Sequence, residues 1–259
     1  MALDHTRGWL KGRAKKLLAL RRRLILLTHH KCATTFVQNY LERVCAINSL
    51  RIYESYKGTA LPEPLYHVSL LRNAEYDRVM RAIDAPALHI IRNPLDIVQS
   101  AYYSHLSTHP LSGWPQLEVQ RRILANCSKK DGIFLTLAFL EQGEFYPRTP
   151  GPLHALRRWR FDDPRICTIR MEDLVADVNN VLGNRVLDSL GKSIRLPESN
   201  DFTFERVSGG RRVGMIDDTS HYRCGLAGAW RSELPESVIA YCRENFTAVL
   251  ERYYPDALA

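Results

Sequence analysis

The sequence predicts an α/β fold: a P-loop-like, three-layer domain with a central parallel sheet flanked by helices. Three observations carry this. Short apolar runs of strand length alternate with stretches of helical periodicity, the order of a parallel sheet covered on both faces. One run, residues 24–28, passes through His29-His30-Lys31-Cys32-Ala33-Thr34-Thr35 into a helical pattern, the local order of a turn that cradles an anion. At 259 residues and 45% hydrophobic, the chain can bury one sizeable core.

The elements follow in order. Residues 1–23 are basic, with Trp9, Leu10, Leu17, Leu18 and Leu20 interspersed, and are expected to form a helix ahead of a domain over 24–259. Residues 24–28 read as a short buried strand, and 35–46 as a helix with Phe36, Tyr40, Leu41 and Val44 on one stripe. Residues 50–53 read as a strand. "LPEPLYHVSLL" has two prolines and then an extended run over 65–70, and "NAEYDRVMRAID" is helical. "APALHIIRNP" is a strand stopped at Asn93-Pro94, because the residue before proline is pushed out of the helical region. "LDIVQSAYYSHL" then opens a helix. Residues 107–150 mix proline and glycine with two helices, "QLEVQRRILANCS" and "DGIFLTLAFLEQG". "HALRRWRF" is a basic helix, "RICTIRMEDL" a strand running into an acidic turn, and "VNNVLGNRVLDSLG" a helix ended by glycine. Residues 199–225 are loop-like, rich in Gly, Ser and Arg. Residues 235–255 form a closing helix between two prolines.

A formal net charge of +8 and a pI near 9.3 favour an anionic partner: nucleic acid, a membrane surface or a phosphorylated small molecule. The six cysteines are scattered, without metal-ligand spacing, and read as free thiols in a reducing compartment. The N-terminus has no long apolar core and no small-residue cleavage site. A cytoplasmic protein is expected, whose basic N-terminal segment packs on the domain or makes weak contact with anionic lipid.

The turn at 29–35 has the parts of a phosphate site. Its backbone N–H groups and the helix dipole supply positive potential. Lys31 adds a mobile charge, Thr34 and Thr35 add hydroxyl donors, and the small Cys32 and Ala33 let the backbone come close to a ligand. The nucleotide-loop pattern G-x-x-x-x-G-K-[ST] is absent, since the lysine comes first and no glycine is present. A second segment puts Arg92 at a strand end and Ser100 eight residues on, so that a cation and a hydroxyl can converge on a second phosphate. A third, "SHYRCGLAGAWR", carries Arg223, Gly225, Gly228 and Trp230 ahead of the last helix.

Together these segments resemble the sulfotransferase family, which transfers a sulfuryl group from 3′-phosphoadenosine 5′-phosphosulfate (PAPS). His30-Lys31-Cys32-Ala33-Thr34-Thr35 is similar to the family's P-K-S-G-T-T loop. Arg92-Asn93-Pro94 with Ser100 is similar to its 3′-phosphate motif, "RMEDLVAD" to its Tyr-Glu-Asp-Leu segment, and "RCGLAGAWR" to its R-K-G-x-x-G-x-W-[KR] loop. "FERVSGGRRVG" is similar to many bacterial members. The resemblance spans about residues 24–235 with the motifs in order.

It implies a donor site made by Lys31, Cys32, Ala33, Thr34 and Thr35 at the phosphosulfate, and by Arg92, Ser100, Arg223, Cys224 and Gly225 at the 3′-phosphate. The departures are His30 for proline, Cys32-Ala33 for Ser-Gly, Cys224 for lysine, and Met171 where an aromatic often stacks on adenine. Adenine then leans on Phe202 or Phe204. Sulfuryl transfer needs positioning and charge stabilisation, which Lys31 and the loop N–H groups can give, and no metal. As the acceptor's base the resemblance points to His67, 25 residues before Arg92, with His29, His30 and Glu54 as rivals.

The acceptor would be a hydroxyl, or an amine, of a small molecule, lipid or glycan. It would be faced by residues 53–66 and 107–150, where Leu135, Leu137, Phe139, Phe145 and Tyr146 are apolar. Two other readings fit parts of the sequence. A small-molecule kinase would need metal-binding acids near Thr34 and Thr35. A nucleic-acid-binding protein is permitted by 36 Lys+Arg against 28 Asp+Glu, but no basic motif interleaved with aromatics supports it.

Overall fold

The computed structural model describes residues 23–56, 66–83 and 85–259. The expected N-terminal helix and the stretch 57–65 lie outside the described residues.

Five short strands, β1 (Leu24–Leu27), β2 (Ile52–Ser55), β3 (Val68–Leu71), β4 (Ala87–Ile91) and β5 (Ile166–Arg170), form one sheet in the order β2-β3-β1-β4-β5. Every neighbouring pair is parallel, with Leu24 opposite Val68 and Leu27 opposite Leu71. The alternation of strand side chains separates the two faces. Leu24 and Leu26 join the stripe Phe36, Val37, Tyr40, Leu41 and Val44 of helix α1 (Thr34–Asn48) in one core. Ile25 and Leu27 point the other way, to Tyr76 and Val79 of α2 (Tyr76–Ala82) and to Trp159. This is the expected three-layer arrangement.

A further core lies where α3 (Pro94–Tyr103), α4 (Pro115–Leu124), α5 (Lys129–Leu140) and the C-terminal helices meet. The Asn93-Pro94 signal starts α3 as read: the Asn93 side chain accepts from the Leu95 N–H, and Pro94 takes the first helical turn.

Three sequence expectations change. The closing helix is two, Glu236–Asn245 and Thr247–Tyr253. They part at Phe246, whose ring is buried, where the Thr247 hydroxyl bonds back to the Arg243 and Glu244 carbonyls and competes with the helical ladder. The loop 199–225 contains two short turns of helix, Ser199–Phe202 and Phe204–Val207. Of the apolar residues between 107 and 150 assigned to the acceptor, Leu137, Phe139 and Phe145 are buried in the core, Tyr146 is half-buried against it, and Leu135 alone is exposed.

The strand order positions the site. From β1, the chain crosses toward β2 and β3. From β4, it runs toward β5. Neighbouring strands whose connections diverge leave a crevice at their carboxyl ends. The segments that leave those ends carry Lys31 and Arg92.

Candidate active site

The turn after β1 closes on itself. The buried His29 carbonyl accepts from the Cys32 N–H at 3.1 Å and from the Thr34 hydroxyl at 3.0 Å. Lys31 and Ala33 both take left-handed backbone, φ 67° and 55°. No side chain caps α1 and no acidic residue sits in its first turn, so its leading N–H groups and dipole face the crevice. Ala33 stands in a conformation that favours glycine. Ala33→Gly is therefore expected to raise stability by about 0.5–1 kcal/mol, the relief of left-handed strain less glycine's extra unfolded-state entropy. Urea unfolding of the two proteins checks this, and a loss of stability would contradict it.

The second cation reaches the same turn: Arg92 Nη1 donates to the Lys31 carbonyl at 3.2 Å. Ser100 lies half-buried on α3. Arg223 lies 3.8 Å over the Tyr103 ring and donates to Glu233 at 2.9 Å, and Glu233 also accepts from Gln99 at 2.8 Å and from the Tyr103 hydroxyl. Arg223 is thus anchored to the residues flanking Ser100. Its loop is stapled by Arg211, which donates to the Met215, Tyr222 and Arg223 carbonyls. Gly225 has φ 69°, and a Cβ there would fall 2.5 Å from the Phe204 ring, so that ring closes against bare backbone.

Above the Lys31 turn is a cluster of imidazoles. His30 Nε2 lies 2.9 Å from His105 Nε2, and the His30 ring is 5.0 Å from His109, 5.4 Å from Trp114 and 5.3 Å from Phe145. Burial, then the Arg92 charge, lowers the Lys31 amine to about 7. The Lys31 charge in turn helps lower His30, His105, His109 and His221, which places all four in its field.

A sequence profile described as the sulfotransferase domain matches residues 21–253. This chain belongs to the sulfotransferase family. Among curated proteins, none matches its sequence. A mouse sulfotransferase, SULT7A1, solved in complex with PAP, shares the fold: TM-score 0.54 at 14% identity, over 90% of this chain and 85% of that one.

As a sulfotransferase, the chain departs from its sequence reading at several residues. Cys32 turns its thiol into the core, where burial pushes it up to about 12, and its N–H is already bonded to His29. It shapes the turn and adds no free donor. The Cys224 thiol points back to the Leu226 carbonyl at 3.7 Å. Met171, half-buried, packs against the α1 core. Phe202 packs edge-on to Phe36 and Tyr40, and beside it lies a cleft of about 240 Å³ lined by Phe36, Asn39, Arg43, Asp201, Phe202, Val207 and Tyr222. Sequence reasoning assigned Phe36 to the core alone. Its place directly after Thr34-Thr35 was the signal that it also borders the Lys31 turn.

The four base candidates separate by place. His67 precedes β3: its carbonyl accepts from the Leu24 N–H at 3.0 Å and its Nδ1 accepts from the Arg51 N–H at 3.2 Å. Both partners mark the amino edge of a parallel sheet, whereas Lys31 follows the carboxyl edge. Four residues at about 3.3 Å each put His67 roughly 13 Å from the turn. The assignment of His67 as base is corrected on this ground. Glu54 is ion-paired to Arg72. His29 turns under the sheet, 2.7 Å from His89 Nε2, and His89 stacks on Trp159 at 3.8 Å. His30 alone of the four reaches the imidazole cluster. The sequence reading passed over His105 and His109, whose signal was their i, i+4 spacing in "SHLSTH" just after Ser100. Among the described residues no three His, Cys, Asp or Glu gather in a metal-binding group, and no helix is long and apolar enough to cross a membrane.

Proposed function

We propose that this sulfotransferase takes the sulfuryl group from PAPS and passes it, without metal, to a hydroxyl or amine of a small-molecule, lipid or glycan acceptor. The observation that carries the reading is the meeting of two cations at the turn after β1: Lys31 beside the uncapped start of α1, and Arg92, whose guanidinium reaches the Lys31 carbonyl. Such a turn suits a strongly anionic nucleotide, and Ser100 and the tethered Arg223 follow as further contacts for its second phosphate.

In this reading Lys31, Thr34, Thr35 and the N–H groups around Ala33 hold the 5′-phosphosulfate. Arg92, Ser100, Arg223 and the Gly225 backbone hold the 3′-phosphate. The cleft at Phe36, Phe202 and Tyr222 takes the adenine, with Phe204 closing on Gly225. As sulfur leaves, negative charge grows on the phosphate oxygen, and the Lys31 amine meets it in a partly dry site where such interactions are strong. The net charge of +8 steers the anionic donor toward the crevice. A cytoplasmic location and a weak membrane contact of the basic N-terminus belong to the same reading.

Calorimetric titration with PAP beside ATP, in excess chelator, tests it. PAP should bind and ATP bind weakly. Arg92→Ala and Ser100→Ala should each weaken PAP at least tenfold more than adenosine 5′-phosphate, which lacks the 3′-phosphate. Equal losses for both ligands would make these residues structural. Magnesium-dependent ATP turnover would favour the kinase.

A further inference from the structure

The Glu233 carboxylate carries an inference that rests on the proposed sulfuryl donor. Its side chain is 13% exposed, and each of its oxygens accepts from one neutral group and one cation. Oε1 accepts from the Gln99 amide at 2.8 Å and from Arg223 Nη2 at 2.9 Å. Oε2 accepts from the Tyr103 hydroxyl and from Lys129 Nζ at 3.1 Å. The same two cations lie over one aromatic ring. The Arg223 guanidinium is 3.8 Å and the Lys129 ammonium 5.5 Å from the centre of the Tyr103 ring.

This network borders Ser100. Arg223 covers Tyr103 at one end of α3, and at the other the Asp96 carboxylate accepts from the Gly228 N–H at 3.1 and 3.2 Å. The segment 223–228 therefore runs along α3. Ser100 stands one helical turn from both Asp96 and Tyr103, on the face that this segment meets. Cys224, next to Arg223, turns its thiol to the Leu226 carbonyl and brings no charge to that face.

The two cations differ in freedom. Arg223 is held a second time, by Nε to Asp218 at 2.5 Å, and its Nη1 has no hydrogen bond among the described residues. Lys129, the first residue of α5, has one ion pair, and its side chain is half exposed. An ammonium on a flexible four-carbon stem can turn from one acceptor to another. When it leaves, Tyr103 still donates to Oε2, while Gln99 and Arg223 stay on Oε1, so the carboxylate is not stranded. We propose that Lys129 is a further cation of the 3′-phosphate site: Glu233 holds it beside Arg223 in the free enzyme, and it swings to the 3′-phosphate when the nucleotide binds. A phosphate near two negative charges attracts the ammonium more strongly than a carboxylate that three other donors already serve. Lys129 thus brings from α5 the second cation that the Arg223 segment does not carry.

Calorimetric titration of the full chain with PAP and with adenosine 5′-phosphate tests this. Lys129→Ala should weaken PAP about tenfold and leave adenosine 5′-phosphate within about twofold, while Lys129→Arg should keep most of the PAP affinity. Lys129→Met, which retains the apolar stem, should behave as Lys129→Ala. A Lys129→Ala protein that binds PAP as the wild type does, or that loses both ligands equally, would overturn the proposal, as would a Lys129→Met protein with full PAP affinity. Wild-type protein that does not bind PAP would sink the donor reading and this inference with it. Wild-type binding with an indifferent Lys129→Ala would sink the inference alone, so the two failures are distinguishable.

Discussion

Lys31→Ala is expected to lower kcat by about 10²–10³-fold or more while PAP binding survives in part. The size follows from the usual worth of one preorganised donor at a developing oxyanion. The asymmetry follows because Lys31 meets charge that grows in the transition state, whereas Arg92, Arg223 and the helix start hold charge already present. A pH signature accompanies it. The free-enzyme amine titrates at about 7, lowered by burial and by Arg92. A bound anion favours the charged amine and raises that value, so binding takes up a proton above pH 7. PAP affinity should therefore fall with rising pH from about 7, by up to roughly tenfold per unit, and Lys31→Ala should flatten the slope. Calorimetry in buffers of different ionisation enthalpy measures the proton uptake. An active Lys31→Ala enzyme, or a wild-type affinity unchanged between pH 7 and 9, would contradict the role.

Mild acid is expected to unfold the domain. His29, His89 and His105 are buried to 1% exposure or less. Burial lowers His29 to about 3 and holds His89 and His105 well below 6.5, with His29 adding to the effect on His89 and Lys31 to that on His105. Each folded-state value lies below the unfolded one. The unfolded chain thus binds more protons once pH drops under about 6.5, and stability declines from there toward the folded values. Each imidazole costs about 1.4 kcal/mol per pH unit, so about 2 kcal/mol by pH 5 and about 6 kcal/mol for the three, a large share of a typical domain's total. Urea midpoints at pH 7.5, 6.5, 5.5 and 5.0 should fall accordingly, with a slope near three protons per molecule at pH 5.5. A slope below one proton would mean that these rings charge without unfolding.

Much of the molecule was legible in its sequence because the signals are local. The apolar run 24–28, the Asn93-Pro94 stop and the stripe from Phe36 to Val44 each fix one element through short-range sterics and one-sided burial. Lys31 and Arg92 could be read as one candidate site because each follows a strand end, where backbone chemistry predicts anion contacts; Ser100 and Arg223 joined it through the family resemblance.

What only the tertiary structure decided are the features that depend on which edge of the sheet a residue meets and which way a ring points. His67 and Lys31 both border apolar strands in sequence, yet parallel pairing of Leu24 with Val68 puts them at opposite edges. His29 and His30 are adjacent, but successive side chains at the strand end diverge. One goes under the sheet to His89, the other into the cluster with His105. The apolar residues between 107 and 150 carry no mark of whether they face a ligand or the core, because burial on one helix face looks the same in either case. The sequence by itself determined the fold class, the strand–turn–helix that carries Lys31 and the family resemblance. The histidine pairing, the inward turn of Cys32 and the cleft where Phe36 meets Phe202 came from long-range packing, which joins residues 75 positions apart in the His30–His105 contact and leaves no periodic trace in the chain.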